Sequence, residues 1–215
     1  MAKAKTKKAK KTKKPARIAT GTRAFGSFGE MKEERGKNDM YETPPLAVDM
    51  LFSNQRFGLG GIWDPSAGRG AILQAIKTAD PARDVMGTDL HKYTRLPGTG
   101  TAGMISGKDF LETLTMPSIA RHIVMNPPYA DAEKHVRHAL GLIKTSRVVA
   151  SLMRLNFIAA KKRKDLLPFL HKVVICGRLK MLPMGVEDKG FSGSVDFAWF
   201  IFGTKVVDST IIVRA

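Results

Sequence analysis

The 215-residue chain is long enough for one α/β domain with a sizeable core and too short for two of ordinary size. Its 36 Lys and Arg against 19 Asp and Glu give a formal charge of +17, which draws polyanions and makes nucleic acid the first partner to consider. A lone cysteine, Cys176, excludes a disulfide framework or a cysteine-based metal cluster, and no apolar run approaches the length of a membrane span, so a soluble protein is expected.

The charge is uneven. Residues 1–17 hold nine of the Lys and Arg ahead of the first acid, Glu30, which leaves 27 basic against 19 acidic residues for the rest. With no apolar period to bury, residues 1–37 are expected to be a disordered basic tail and a Gly-rich linker carrying Phe25 and Phe28; residues 38–215 are expected to be the folded domain. In "YETPPLAVDMLF" Thr43 suits a helix cap, Pro44 the first turn, and Leu46, Ala47, Met50 and Leu51 share one face. Ile62 and Trp63 form a short strand that ends at "DPSAGRG", and Ala71, Ile72, Ala75 and Ile76 resume helical spacing. "DVMGTDL" predicts a strand ending at Asp89, and "RHIVM" another that runs into "NPPY". A helix follows, with Ala132, Val136, Ala139, Leu140 and Ile143 inward, then the strand "RVVASLM" and a helical "AAKKRKDLLPFL". The last three apolar runs, "KVVICGRLKML", "VDFAWFIF" and "TIIVRA", have no helix between them. The pattern predicts an α/β fold: a mostly parallel twisted sheet with a C-terminal antiparallel hairpin and helices on both faces.

In open α/β sheets ligands sit beyond the carboxyl ends of the strands, and the unusual residues of this chain lie there. Gly68 and Gly70 permit a tight turn and close backbone approach, and Asp64 offers an acceptor to a cationic group. The turn lacks the third, helix-packing glycine of a dinucleotide site and the Lys-Ser/Thr of a P-loop, which disfavours phosphate cradling. Alone, it is equally an ordinary strand-to-helix turn. Asp89 is placed to meet the paired hydroxyls of a ribose, or to act as a cap. Asp109 and Phe110 combine an acceptor with a ring, or a cap with a core residue.

"NPPY" is more specific. Pro127 and Pro128 remove two N–H groups and drive Asn126 toward an extended conformation, leaving the Asn126 side-chain oxygen and the Pro127 carbonyl for a ligand. Tyr129 adds a flat face. Two acceptors beside a ring suit a planar amino group with two protons, such as N6 of adenine. The basic run Lys161, Lys162, Arg163 and Lys164 offers phosphate contacts or a solvated face, and Phe191 in "GVEDKGFSGSVD" a wedge or part of a mobile hairpin. His135 and His138 read as solvated or capping side chains, and no set of histidines suggests a metal.

"YETPP", then "DPSAGRG", then "NPPY" is an order that resembles the S-adenosylmethionine-dependent N6-adenine DNA methyltransferases of the class I, Rossmann-like fold with gamma-type motif order, over about residues 38–160. The resemblance implies that Tyr41, Thr43, Asp64, Ser66, Gly68 and Gly70 cradle the methyl donor, that Asp89 holds its ribose, and that Asp109 with Phe110 holds its adenine. It implies that Asn126, Pro127, Pro128 and Tyr129 take a target adenine rotated out of double-stranded DNA, with the basic tail on phosphates, no metal, and a cytoplasmic setting in a bacterium or a phage-infected host. Methyltransferases acting on RNA bases or protein glutamine share "NPPY", so these acceptors remain open, as does a catalytically idle nucleic-acid-binding scaffold. With the chain ending at Ala215, sequence recognition is expected to be short, relaxed, or supplied by loops and the basic tail.

Overall fold

The computed structural model describes residues 41–96, 103–183, 193 and 195–215. Eight strands form one sheet in the order β10-β7-β9-β6-β5-β2-β3-β4. They are β2 (Gly61–Asp64), β3 (Val85–Asp89), β4 (Gly103–Ser106), β5 (Ala120–Met125), β6 (Val149–Arg154), β7 (Leu170–Arg178), β9 (Asp196–Phe202) and β10 (Ile211–Arg214). A separate two-residue strand, β1 (Tyr41–Glu42), pairs antiparallel with β8 (Leu182–Pro183).

Most of these strands are buried on both faces, so alternate residues feed two apolar layers. Ile62, Val124, Ala150, Leu152, Trp199 and Ile201 face helices α1 (Pro45–Asn54) and α2 (Ala71–Ala79), which contribute Ala47, Val48, Leu51, Ile72, Leu73 and Ile76. Trp63, Ile123, Met125, Val149, Met153, Ala198 and Phe200 face the other way, against Ala132, Val136 and Ala139 of α3 (Ala132–Leu142). Buried at the first layer, the Trp199 indole N–H donates to the Ala47 carbonyl at 2.7 Å.

The predicted hairpin forms between β7 and β9, but β9 inserts between β6 and β7 and runs antiparallel to both, while β10 adds parallel to β7 at the edge. The expected helix over "AAKKRKDLLPFL" is instead a 3-10 stretch, Lys161–Phe169, preceded by another over Leu155–Ala159. Pro168 lies inside the longer stretch, where it lacks an N–H for an α-helical ladder. Helix α1 starts at Pro45, one residue later than expected, with Pro44 as its N-cap and no side-chain cap. That shift frees Thr43 for another contact. Among the described residues no helix is long and apolar enough to cross a membrane.

Candidate active site

Strand β2 pairs with β3 on one side and β5 on the other, both in parallel. The chain thus leaves the centre of the sheet in opposite directions, which opens a crevice at the carboxyl ends of β2 and β5. A cavity of about 200 Å³ lies there, lined by residues following β2, β3, β4 and β5 and by the segment Tyr41–Thr43.

The glycine turn forms one wall. Gly68 at φ 53° and Gly70 at φ 92° occupy the left-handed region, where side chains bring strain, and Gly70 is the N-cap of α2. The Gly68 N–H donates to Asp89 Oδ2 at 2.8 Å and the Ala67 N–H to the Thr88 carbonyl at 3.0 Å, so the turn is tied to β3. Asp89 also accepts from the His91 N–H at 2.8 Å through Oδ1, and each carboxylate oxygen keeps a lone pair for a hydroxyl. The close packing that the turn itself lacks a glycine for is supplied from β3: a Cβ on Gly87 would sit 2.7 Å from Leu73 Cδ1 and 2.8 Å from Ala67 Cβ. Gly87→Ala is therefore expected to destabilise the fold by about 1–3 kcal/mol through overpacking. Urea denaturation checks this, and an unchanged midpoint would mean that α2 and β3 separate freely.

Asp64 is 1% exposed and accepts the Ser66 N–H at 3.0 Å. Burial pushes its carboxyl up to about 8; the Ser66 N–H works against that rise and the neighbouring Asp89 adds to it. Asp109 caps the 3-10 turn Phe110–Glu112 by accepting the Leu111 N–H at 2.8 Å. Phe110 is buried edge-on against Trp63 and His138. Both residues thus do structural work and line the cavity as well. His135 and His138 are not solvated: His135 is buried with its ring beside Phe110, and His138 Nε2 lies 2.9 Å from the Thr113 carbonyl. The sequence reading also missed Arg69. It pairs with Glu42 at 2.9 Å and donates to the Thr94 carbonyl at 3.1 Å, which joins two walls of the cavity.

Asn126 ends β5. Its Nδ2 donates to the Tyr41 carbonyl and to Thr43 Oγ1, both at 3.1 Å. A backbone carbonyl only accepts, so the amide nitrogen must face that way and both of its protons are used. Asn126 lines the cavity, and its Oδ1 atom is left buried with no hydrogen-bond partner. The Tyr129 ring stacks on Tyr41, centroids 5.3 Å apart, and carries the Arg154 guanidinium 5.0 Å from its centroid, so Tyr129 sits within a stack. No sequence signal had singled out Arg154.

Of the expected site residues, Tyr41, Thr43, Asp64, Ser66, Gly68, Asp89, Asp109, Phe110, Asn126, Pro127, Pro128 and Tyr129 line this one cavity. Gly70 stands just behind the wall as the cap of α2. Lys161, Lys162, Arg163 and Lys164 do not line it. Lys162 and Arg163 each bind Glu133 at 3.0 Å, and Arg163 also lies over the Phe157 ring. Arg163 is thereby a brace between α3 and the 3-10 stretch. Burial of Glu133 is outweighed by hydrogen bonds from Lys162, Arg163 and Arg137, which hold its carboxyl down at about 2. Phe191 and the tail lie outside the described residues.

No protein-family model matches the chain, and no curated protein matches it either. Solved structures do. A methyltransferase subunit of a type I restriction-modification system from Streptococcus thermophilus aligns at TM-score 0.57 and 15% identity, over 81% of this chain and 47% of that one. A putative hemolysin from Lactococcus lactis aligns at 0.55 and 11% identity, over 78% and 91%. A predicted O-methyltransferase from Agrobacterium tumefaciens aligns at 0.54 and 14% identity, over 80% and 86%. The chain thus spans about half the length of the restriction-modification subunit. The fold is the Rossmann-like fold of the class I methyltransferases.

Proposed function

We propose that this chain transfers the methyl group of S-adenosylmethionine to N6 of an adenine swung out of DNA. The observation that carries the reading is the buried, unpartnered Oδ1 of Asn126, a residue that lines the cavity and whose amide protons are already committed to Tyr41 and Thr43. Leaving such an atom without a hydrogen bond costs about 1–3 kcal/mol, which a ligand N–H recovers.

The cavity also suits the donor. Asp89 has lone pairs for ribose hydroxyls, the left-handed Gly68 leaves room for close approach, and Asp64 offers a carboxyl to the methionine ammonium. S-adenosylmethionine supplies an electrophilic methyl on a sulfonium sulfur. The remaining work falls to the protein: Asn126 accepts an N6–H, draws the N6 lone pair out of conjugation, and aligns it for in-line attack. The new C–N bond forms as the S–C bond breaks, and the surplus N6 proton then leaves to solvent. An adenine must leave its stack to reach Asn126, at a cost of a few kcal/mol.

Similarity in fold to a restriction-modification methyltransferase subunit supports this reading, as does the +17 charge. Similar agreement with a predicted O-methyltransferase means that the acceptor must be argued from the site. The test is incubation with methyl-labelled donor and, in parallel, unmethylated DNA, RNA and protein, followed by digestion to nucleosides or amino acids. Label in N6-methyldeoxyadenosine is expected; label confined to RNA or to protein glutamine would overturn the DNA acceptor, and donor binding without transfer would make the chain an idle scaffold.

A further inference from the structure

We infer that Arg154 holds a phosphate of the nucleic-acid strand beside the extruded nucleotide, which adapts the site to a base carried on a polynucleotide. This rests on the acceptor reading above, and it adds a residue and a contact to it.

The placement follows from strand pairing. Strands β5 and β6 run in parallel with Met125 opposite Ser151, so Arg154 leaves the sheet at the same end as Asn126 and Tyr129. On its other side β6 pairs with β9, which sets Arg154 opposite Phe197, and Phe197 packs within 6.0 Å of the Tyr129 ring. The guanidinium is thus brought over Tyr129 at 5.0 Å by two ladders and a ring. A guanidinium can rest a face on an aromatic ring while its edge N–H groups stay available for a bidentate contact with an oxyanion.

Charge selects the partner. The donor cavity is lined by the carboxylates of Glu42, Asp89, Asp109 and Asp131, which disfavours a phosphodiester inside it. A strand that delivers a base to Asn126 must therefore run along the rim. Arg69, the arginine within the cavity wall, is bound to Glu42, and Lys108 follows β4 on the far side of β2 from Arg154. Arg154 is exposed and, among the described residues, is within salt-bridge distance of no carboxylate, unlike Arg69 in the cavity wall. A guanidinium at the acceptor edge that no acid neutralises fits the phosphate of a polynucleotide.

The experiment measures binding of the full chain, saturated with S-adenosylhomocysteine, to an adenine-containing duplex across a range of salt concentrations. Arg154→Gln is expected to weaken DNA binding about tenfold at moderate salt and to lower the slope of log affinity against log salt by about 1. Donor-product affinity and thermal midpoint are expected to stay near the parent values. Arg154→Lys, which keeps the charge, is expected to restore most of the slope and only part of the affinity. An unchanged slope in Arg154→Gln, or weaker binding accompanied by an equal loss of donor affinity, would reduce Arg154 to a brace for Tyr129 and overturn the inference. Absence of methyl transfer to any DNA by the parent chain is a separate result: it counts against the acceptor reading, while the binding slope still reports on Arg154.

Discussion

Asn126→Ala is expected to lower the rate of methyl transfer by roughly 10²–10³-fold, the scale seen when one preorganised polar group is removed from a developing charge. The same change releases two hydrogen bonds from the amide to Tyr41 and Thr43, so the segment over the cavity loosens as well. Thr43→Val separates the two effects. It removes one acceptor from the amide nitrogen and leaves Asn126 Oδ1 in place, so transfer is expected to fall only about tenfold, in line with the net worth of one hydrogen bond. Donor affinity is expected to stay within a few-fold of the parent in both variants. Single-turnover transfer and calorimetric titration of the donor make the comparison. If donor affinity in Asn126→Ala drops as far as the transfer rate, Asn126 belongs to the donor site and its acceptor role is wrong.

Asp64→Asn is expected to make the protein more stable at pH 8 and weaker toward the donor. With its carboxyl raised from 3.8 to about 8, folded Asp64 keeps a proton that the unfolded chain has already lost above pH 4. The folded state binds more protons between those two values, so the stability from this group is fully present below about pH 4 and is lost as pH rises toward 8, by about 1.4 kcal/mol per unit. Asparagine keeps the shape and the acceptor for the Ser66 N–H without a charge to bury. Its free energy of unfolding, measured from pH 5 to pH 8, is expected to lack that decline. Donor affinity is expected to fall about tenfold or more, or 1.4 kcal/mol, because the methionine ammonium loses the carboxylate it would draw into ionisation. Equal pH slopes in the two proteins would place the titration elsewhere. Unaltered donor affinity would remove Asp64 from the proposed contact.

Local signals in the sequence reach a few residues, and what they determined has that range. Continuous apolar runs such as Ile123-Val124-Met125 and Phe197 to Phe202 specify strands buried on both faces, because successive side chains point to opposite layers. Glycines, prolines and single acids after those runs marked where strands stop, and in a parallel sheet those stops gather at one edge. That is why residues as distant as Asp64, Asp89 and Asn126 line one cavity.

Other features were decided only when remote segments met. The partners of the Asn126 amide lie 85 and 83 residues away, and nothing near Asn126 names them. Gly87 looks like an ordinary strand glycine until Leu73 and Ala67 close on it. In sequence Arg163 belongs to a basic run; in the fold it is bound to Glu133. Arg154, a charge after an apolar strand, becomes notable only once β9 enters beside β6 and the neighbouring β5 leads Tyr129 beneath its guanidinium. Composition and periodicity determine which residues can be buried and where the chain turns. Strand order and the contacts between distant loops decide which polar atoms find partners, and here they left the amide oxygen of Asn126, a cavity-lining residue, without one.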